Sequence, residues 1–215
     1  MFLIDTTKCI FFDLDGTLTD SEPGLEESFK YIFNKFGLNI NGLDLRLFYG
    51  PPIEQSLGKY FKTDEELADA IKEFRIHYRQ RYLTGNSLYP GIVEMLDALK
   101  TLGYTLAVVT GKPEDAAEDV VGHFCIRTYF DAVYGSHYHH TEKIETLNKA
   151  LQLHSCPPEQ AVMIGDRKYD LEAAALGKTK GIGVLWGYGT REELEGYDSL
   201  FLANSPDDII KYFKK

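Results

Sequence analysis

Asp13 and Asp15 stand two residues apart in Phe11-Phe12-Asp13-Leu14-Asp15-Gly16-Thr17-Leu18, directly after an apolar run from Cys9 to Phe12. Such a run predicts a strand buried on both faces. The alternation of extended chain turns both carboxylates the same way. At the carboxyl edge of an open parallel sheet they would face a ligand crevice, and Gly16 lets the chain turn away at once. Two like charges so close in a poorly solvated crevice repel, so they need a cation, or one of them must hold a proton. A hard divalent ion with oxygen ligands, magnesium, meets both needs. A carboxylate can also attack phosphorus in line and form an acyl phosphate, dividing one hard displacement into two easier ones. Asp13, the first side chain off the strand, is the candidate nucleophile. Asp15 is the candidate to protonate a leaving alkoxide and later take a proton from water.

Three further segments carry groups of matching chemistry. Thr110-Gly111-Lys112-Pro113 follows the apolar run Leu106 to Val109 and reads as a strand end passing into a helix start. Pro113 suits a first helical turn, whose N–H groups point at an anion, and Gly111 permits close backbone approach. Lys143 opens the helical pattern Ile144, Leu147, Ala150, Leu151, with Lys149 on the same helix read as solvated. Asp166 and Asp170 follow the run Ala161 to Ile164 as Gly-Asp-x-x-x-Asp. Asp166 is expected to point into the crevice and complete the metal site. Asp170 suits a role one step removed, holding a metal-bound water or orienting a neighbour, compatible with capping the following helix, Leu171 to Leu176. His137, His139 and His140 lie in a polar loop without a suitably spaced acidic or cysteine partner, which predicts solvated side chains rather than a metal site.

The elements that must position these residues are legible as alternation. Buried-strand runs at Cys9–Phe12, Leu106–Val109, Ala161–Ile164 and Ile182–Trp186 are separated by helical patterns, such as Ile92, Met95, Leu96, Leu99 and Leu102 stopped by Gly103. That order predicts an α/β fold, a Rossmann-like parallel sheet covered by helices. One stretch breaks it. Between Asp20 and Asn86 there is no convincing buried strand, but two amphipathic helical patterns: Leu25 to Phe36, ended by Gly37, and Leu67 to Tyr78 after the acidic turn Asp64 to Glu66. Gly50-Pro51-Pro52 is a turn between them. The expected organisation is a catalytic core of residues 1–18 and 87–215 with a small all-helical cap of residues 19–86. The insert's aromatic residues, at helical spacing, suit a small helical core.

Composition limits the partners. With 215 residues, 44% hydrophobic and 26% charged, the chain is of ordinary globular character. A net charge of −10 disfavours nucleic acid, whereas a small phosphate ester needs only a local cluster of positive groups. No apolar run approaches the roughly 20 residues that span a bilayer, the N-terminus lacks a signal-peptide pattern, and three scattered cysteines suit inert thiols in a reducing compartment. The expectation is a cytoplasmic protein, monomeric or weakly dimeric, with no membrane or nucleic-acid partner.

The Asp13-Leu14-Asp15-Gly16-Thr17 run resembles the first motif of the haloacid dehalogenase superfamily, and Thr110, Lys143 and Gly165-Asp166-Arg167-Lys168-Tyr169-Asp170 match the second, third and fourth in order. The resemblance implies a magnesium-dependent phosphatase acting through a phospho-aspartate on Asp13. It further implies that the Thr110 hydroxyl and the Gly111 N–H bind the phosphoryl group, that Lys143 offsets its charge, and that Asp13, Asp166 and the main-chain carbonyl of Asp15 hold the metal. The Thr110-Gly111-Lys112-Pro113 segment and the turns Gly50-Pro51-Pro52 and Gly187-Tyr188-Gly189 look most like phosphoglycolate phosphatases. A phosphohexomutase, a nucleotidase, a pyrophosphatase and a catalytically silent binding module are the alternatives. Substrate selection is expected from the insert, with Arg46, Gly50 and Pro51 as candidates; an arginine can grip a substrate carboxylate in a bidentate pair.

Overall fold

Every residue of β1 (Cys9–Phe12) is buried, as a central strand covered on both faces requires. The computed structural model describes residues 6–136 and 142–215, so the histidines at 137, 139 and 140 lie outside the described residues. After β1 come β2 (Thr19–Asp20), α1 (Glu22–Lys35), α2 (Ile53–Leu57), α3 (Asp64–Arg79) and β3 (Ser87–Leu88). The chain continues through α4 (Ile92–Thr101), β4 (Thr105–Pro113), α5 (Glu114–His123), β5 (Ala132–Ser136), α6 (Lys143–Leu153) and β6 (Ala161–Gly165). It ends with α7 (Lys168–Leu176), β7 (Lys180–Val184), α8 (Arg191–Glu195), β8 (Leu202–Ala203) and α9 (Pro206–Phe213).

Two compact units result: Met1–Thr19 with Leu88–Lys215, and Asp20–Ser87. The first is built on a six-stranded sheet in the order β5-β4-β1-β6-β7-β8, with every pair parallel. The strand after a right-handed crossover can be added on either side of β1, and here β4 lies on one side and β6 on the other. That change of direction opens a crevice at the carboxyl ends. Alternation along β1 divides its side chains between the two faces. Cys9 and Phe11 pack with Leu147 and Ala150 of α6 and Ala173 and Ala174 of α7, while Phe12 meets Phe130 edge-on.

The second unit is helical. Phe29 of α1 packs on Phe74 of α3 and on Phe48, and Phe33 meets Phe48 edge-on, so its aromatic residues form a core. Thr63 caps α3 through its hydroxyl, and Gly37 takes a positive φ where α1 ends.

Some boundaries differ from expectation. The strand through Leu106–Val109 continues to Pro113, which caps α5 from outside rather than entering its first turn. The pairing with β5 shifts register over Val109–Pro113, and the Ser136 hydroxyl donates to the Gly111 carbonyl at 2.7 Å, holding that stretch extended. Strand β5, at the sheet edge, carries no strand signal in the sequence, because Tyr134-Gly135-Ser136 makes no apolar run. Strand β7 stops at Val184, leaving Trp186 in the turn beyond. Cys9 and Cys156 are buried free thiols, but Cys125 is exposed. Among the described residues no helix is long and apolar enough to cross a membrane.

Candidate active site

The sheet order brings the separate motifs together. Asp13 follows the last residue of β1, and its N–H donates to the Ile164 carbonyl of β6 at 2.9 Å. Asp166 follows β6, and Thr110 lies in β4 beyond the paired residue Val109. All three therefore stand at the carboxyl ends of adjacent parallel strands. Lys143, first residue of α6, reaches in and places its ammonium 2.8 Å from Asp13 Oδ1 while also bonding Asp170 Oδ1. Lys149 instead pairs with Glu114 and is half exposed.

Asp170 sits in the first turn of α7. Its other oxygen accepts the Arg167 N–H at 2.9 Å, so one carboxylate caps the helix and anchors Lys143. Carboxylate oxygens of Asp13, Asp166 and Asp170 can come within 4.8 Å of one another, a set able to hold a metal ion. Within that set Asp170 is engaged by Lys143 and the end of α7, and Asp13 shares the same ammonium. The Asp15 carboxylate is outside the set and bonds the Lys112 ammonium at 2.7 Å.

Asp166 is fully buried and tightly seated. The Thr17 hydroxyl donates to its Oδ1 at 3.2 Å and the Tyr188 N–H to its Oδ2 at 2.8 Å. Gly16, at φ +86°, would put a Cβ 2.3 Å from Asp166 Oδ2, and a Cβ on Gly187 would fall 2.2 Å from the Gly16 carbonyl oxygen. The turn Gly187-Tyr188-Gly189 is thus a wall of the Asp166 seat. Trp186 Nε1–H, donating to the Thr17 carbonyl at 3.0 Å, ties the same turn to the loop after β1. Arg167 pairs with Glu193 of α8 at 2.9 Å, and Glu193 also accepts the Lys168 N–H at 2.8 Å, which fastens the loop after β6 to α8.

Charge in the site is unbalanced toward the acids. Burial pushes the Asp13 carboxyl up to about 6 against the pull of Lys143, with Asp170 and Asp15 adding to the rise. Burial, then the neighbouring Asp170 and Asp13, hold Asp166 well above the usual carboxylate range. Burial opposes the Lys143 ammonium, but Asp13 and Asp170 outweigh it and keep its pKa above the ordinary value. Four carboxylates (13, 15, 166 and 170) face the two ammonium groups of Lys112 and Lys143. The deficit of two positive charges is what a divalent cation would supply, so the residues fit such an ion.

The Thr110 hydroxyl oxygen accepts the Lys112 N–H at 3.2 Å, which directs its own proton toward another acceptor. Arg46, Gly50 and Pro51 belong to the helical unit; Arg46 Nε donates to Glu22 at 2.9 Å from a largely exposed side chain. Lys112, Thr17 and the Arg167–Glu193 pair were not singled out from the sequence. For Lys112 a signal existed: two residues after Thr110 in extended chain, it must share that residue's side.

Similarity to known proteins agrees with this geometry. Residues 10–184 match the model of the haloacid dehalogenase-like hydrolase family. The chain is 36% identical over 192 residues to a 5'-nucleotidase of Pseudomonas aeruginosa, covering 87% of each protein. It is 30% identical over 207 residues to a phosphoglycolate phosphatase of Aquifex aeolicus, covering 95% of each. A solved structure from Clostridium acetobutylicum, described as a predicted phosphatase, superposes with a TM-score of 0.91 at 34% identity, over 97% of this chain and 98% of that one.

Proposed function

Because the chain belongs to the haloacid dehalogenase-like hydrolase family and is a phosphatase of that superfamily, we propose that it hydrolyses a small phosphate monoester through a phospho-aspartate on Asp13, with magnesium as cofactor. The observation that carries the reading is Asp13 itself. It lies at the end of the central strand, paired with the largely buried Lys143 and within ligand reach of Asp166.

In the first step an Asp13 oxygen attacks phosphorus, an acyl phosphate bond forms, and the ester P–O bond breaks. Asp15 gives a proton to the departing alkoxide. In the second step water loses a proton to Asp15 and attacks the acyl phosphate, releasing inorganic phosphate and restoring both carboxyl groups. The Thr110 O–H and the Gly111 N–H hold the phosphoryl oxygens, and Lys143 offsets their charge. Magnesium held by Asp13, Asp166 and the Asp15 main-chain carbonyl would neutralise charge on the phosphoryl group. Asp170 would act through Lys143 and the end of α7 rather than as a ligand.

We assign substrate choice to the helical unit as a cap, with Arg46, Gly50 and Pro51 as the candidate readers. The 5'-nucleotidase and phosphoglycolate phosphatase relatives make a nucleoside monophosphate and phosphoglycolate the first substrates to try. Action in the cytoplasm, as a monomer or weak homodimer, is part of the same proposal. It is supported by unpaired thiols and by large exposed apolar side chains that are spread singly over many elements.

The test is phosphate release by purified protein with and without magnesium, followed by borohydride trapping of the acyl phosphate. Reduction at position 13 is the expected result. Turnover without a trapped adduct at Asp13 would overturn the mechanism, and interconversion of hexose phosphates without phosphate release would favour a mutase.

A further inference from the structure

We propose that Lys112 is a positioning residue for Asp15, holding one carboxylate oxygen so that the other is presented for proton exchange; this rests on the role of Asp15 given above. A lysine side chain is rarely removed from solvent without a task. That of Lys112 is 3% exposed, and its ammonium lies 2.7 Å from Asp15 Oδ2. The opposite oxygen, Asp15 Oδ1, is buried and has no hydrogen-bond partner. One oxygen is therefore tied and the other is left for a proton. A short carboxylate side chain on a turn has two free torsions, and a single charge-assisted contact at one oxygen fixes both.

The post that carries Lys112 is itself rigid. Its N–H is bonded to the Thr110 hydroxyl oxygen at 3.2 Å, and the Ser136 hydroxyl holds the Gly111 carbonyl at 2.7 Å. Strand β5 lies so close that a Cβ on Gly135 would fall 2.6 Å from the Lys112 carbonyl oxygen and 2.4 Å from the Glu114 backbone. Lys112 and Lys143 divide the acids between them. Lys143 is committed to Asp13 and Asp170, and Lys112 to Asp15. Their elements of origin keep the two roles apart: Lys143 enters from the start of α6, whereas Lys112 comes from the end of β4 beside β1.

The test compares esters that differ in their need for a proton. A nitrophenyl phosphate expels a stable phenolate, whereas an alkyl phosphate expels an alkoxide that must be protonated. Positioned proton transfer contributes about 10²–10⁴-fold, so misplacing the carboxyl group should lower the alkyl-to-aryl kcat ratio about tenfold or more in Lys112→Met. The shift should run in the same direction as in Asp15→Asn. In the double variant, Lys112→Met should change the ratio less than about twofold beyond Asp15→Asn alone, since it acts through that residue. Lys112→Gln provides the same comparison should the methionine variant fail to fold. Equal losses on both esters with a weakened inhibition constant for inorganic phosphate would overturn the proposal and make Lys112 a phosphoryl-binding group. So would additive losses in the double variant, or an unchanged ratio. The borohydride adduct on wild-type Asp13 is read separately, so failure of the phospho-aspartate reading and failure of the Lys112 assignment give different results.

Discussion

Replacing Gly187 by alanine tests how the Asp166 seat is built. The added Cβ would stand 2.2 Å from the Gly16 carbonyl oxygen and 2.3 Å from Asp166 Cβ. Ordinary contact begins at 3.4 Å, so relief asks for about 1.2 Å of movement, and the obstacles are backbone and a side-chain root rather than a flexible tip. A shift of that size would stretch the Tyr188 N–H bond to Asp166, now 2.8 Å, to about 4.0 Å, beyond hydrogen-bonding range. The lost bond goes to a charged group and would cost about 1.5–3 kcal/mol. Loss of a group that orients a metal ligand typically lowers metal affinity about 10–100-fold. We expect Gly187→Ala to weaken magnesium binding by that factor in calorimetric titration, with a matching rise in the magnesium concentration that half-saturates turnover. Overpacking should also lower stability by about 1–3 kcal/mol, visible in thermal melts. A folded variant that binds magnesium within twofold of the wild type would refute the view that this turn seats Asp166.

Asp13→Asn should abolish turnover through kcat rather than KM, because an amide cannot form the acyl phosphate; substantial kcat in well-folded protein would sink the mechanism. Lys143→Met leaves Asp13 and Asp170 facing each other without their shared ammonium, so the metal-free protein should lose about 3–5 kcal/mol in denaturant unfolding, part of it regained on adding magnesium. The raised Asp13 and Asp166 pKa values mean that the folded, metal-free protein binds protons the unfolded chain has already released. Its stability contribution from these groups is present below the ordinary carboxylate range and is lost as pH rises through about 6 for Asp13. A divalent ion takes the place of those protons and so binds more weakly where they are held. At one fixed magnesium concentration, about a hundredfold over the Kd at neutral pH, the rise in Tm should be about 5–10 °C near neutrality and smaller at about pH 5; an equal rise at both would contradict the charge assignment. Arg46→Ala should lower kcat/KM for phosphoglycolate by the equivalent of about 1.5–3 kcal/mol and hardly alter hydrolysis of an aryl phosphate; equal effects on both would remove Arg46 from substrate reading.

Much of the molecule is written locally. The run Cys9–Phe12 can only be satisfied as a doubly covered strand, so the sequence alone determines that Asp13 emerges at a strand end, and the same holds for Asp166 after Ala161–Ile164. Helices such as Glu22–Lys35, Asp64–Arg79 and Ile92–Thr101 follow from apolar periodicity with caps and stop signals. What only the tertiary structure decides is which ends meet. The order β4-β1-β6 makes neighbours of Thr110, Asp13 and Asp166, although they lie far apart in sequence. Strand β5 lacked a signal because its buried residues, Val133 to Gly135, include a tyrosine and a glycine and so make no apolar run. Lys112 and Asp15 are 97 residues apart, and no periodicity relates them. Nor could a glycine-rich turn declare that its missing side chains make room for Asp166. A sequence records each residue's local preference, whereas ion pairs and steric clearances depend on how the strands are ordered in space.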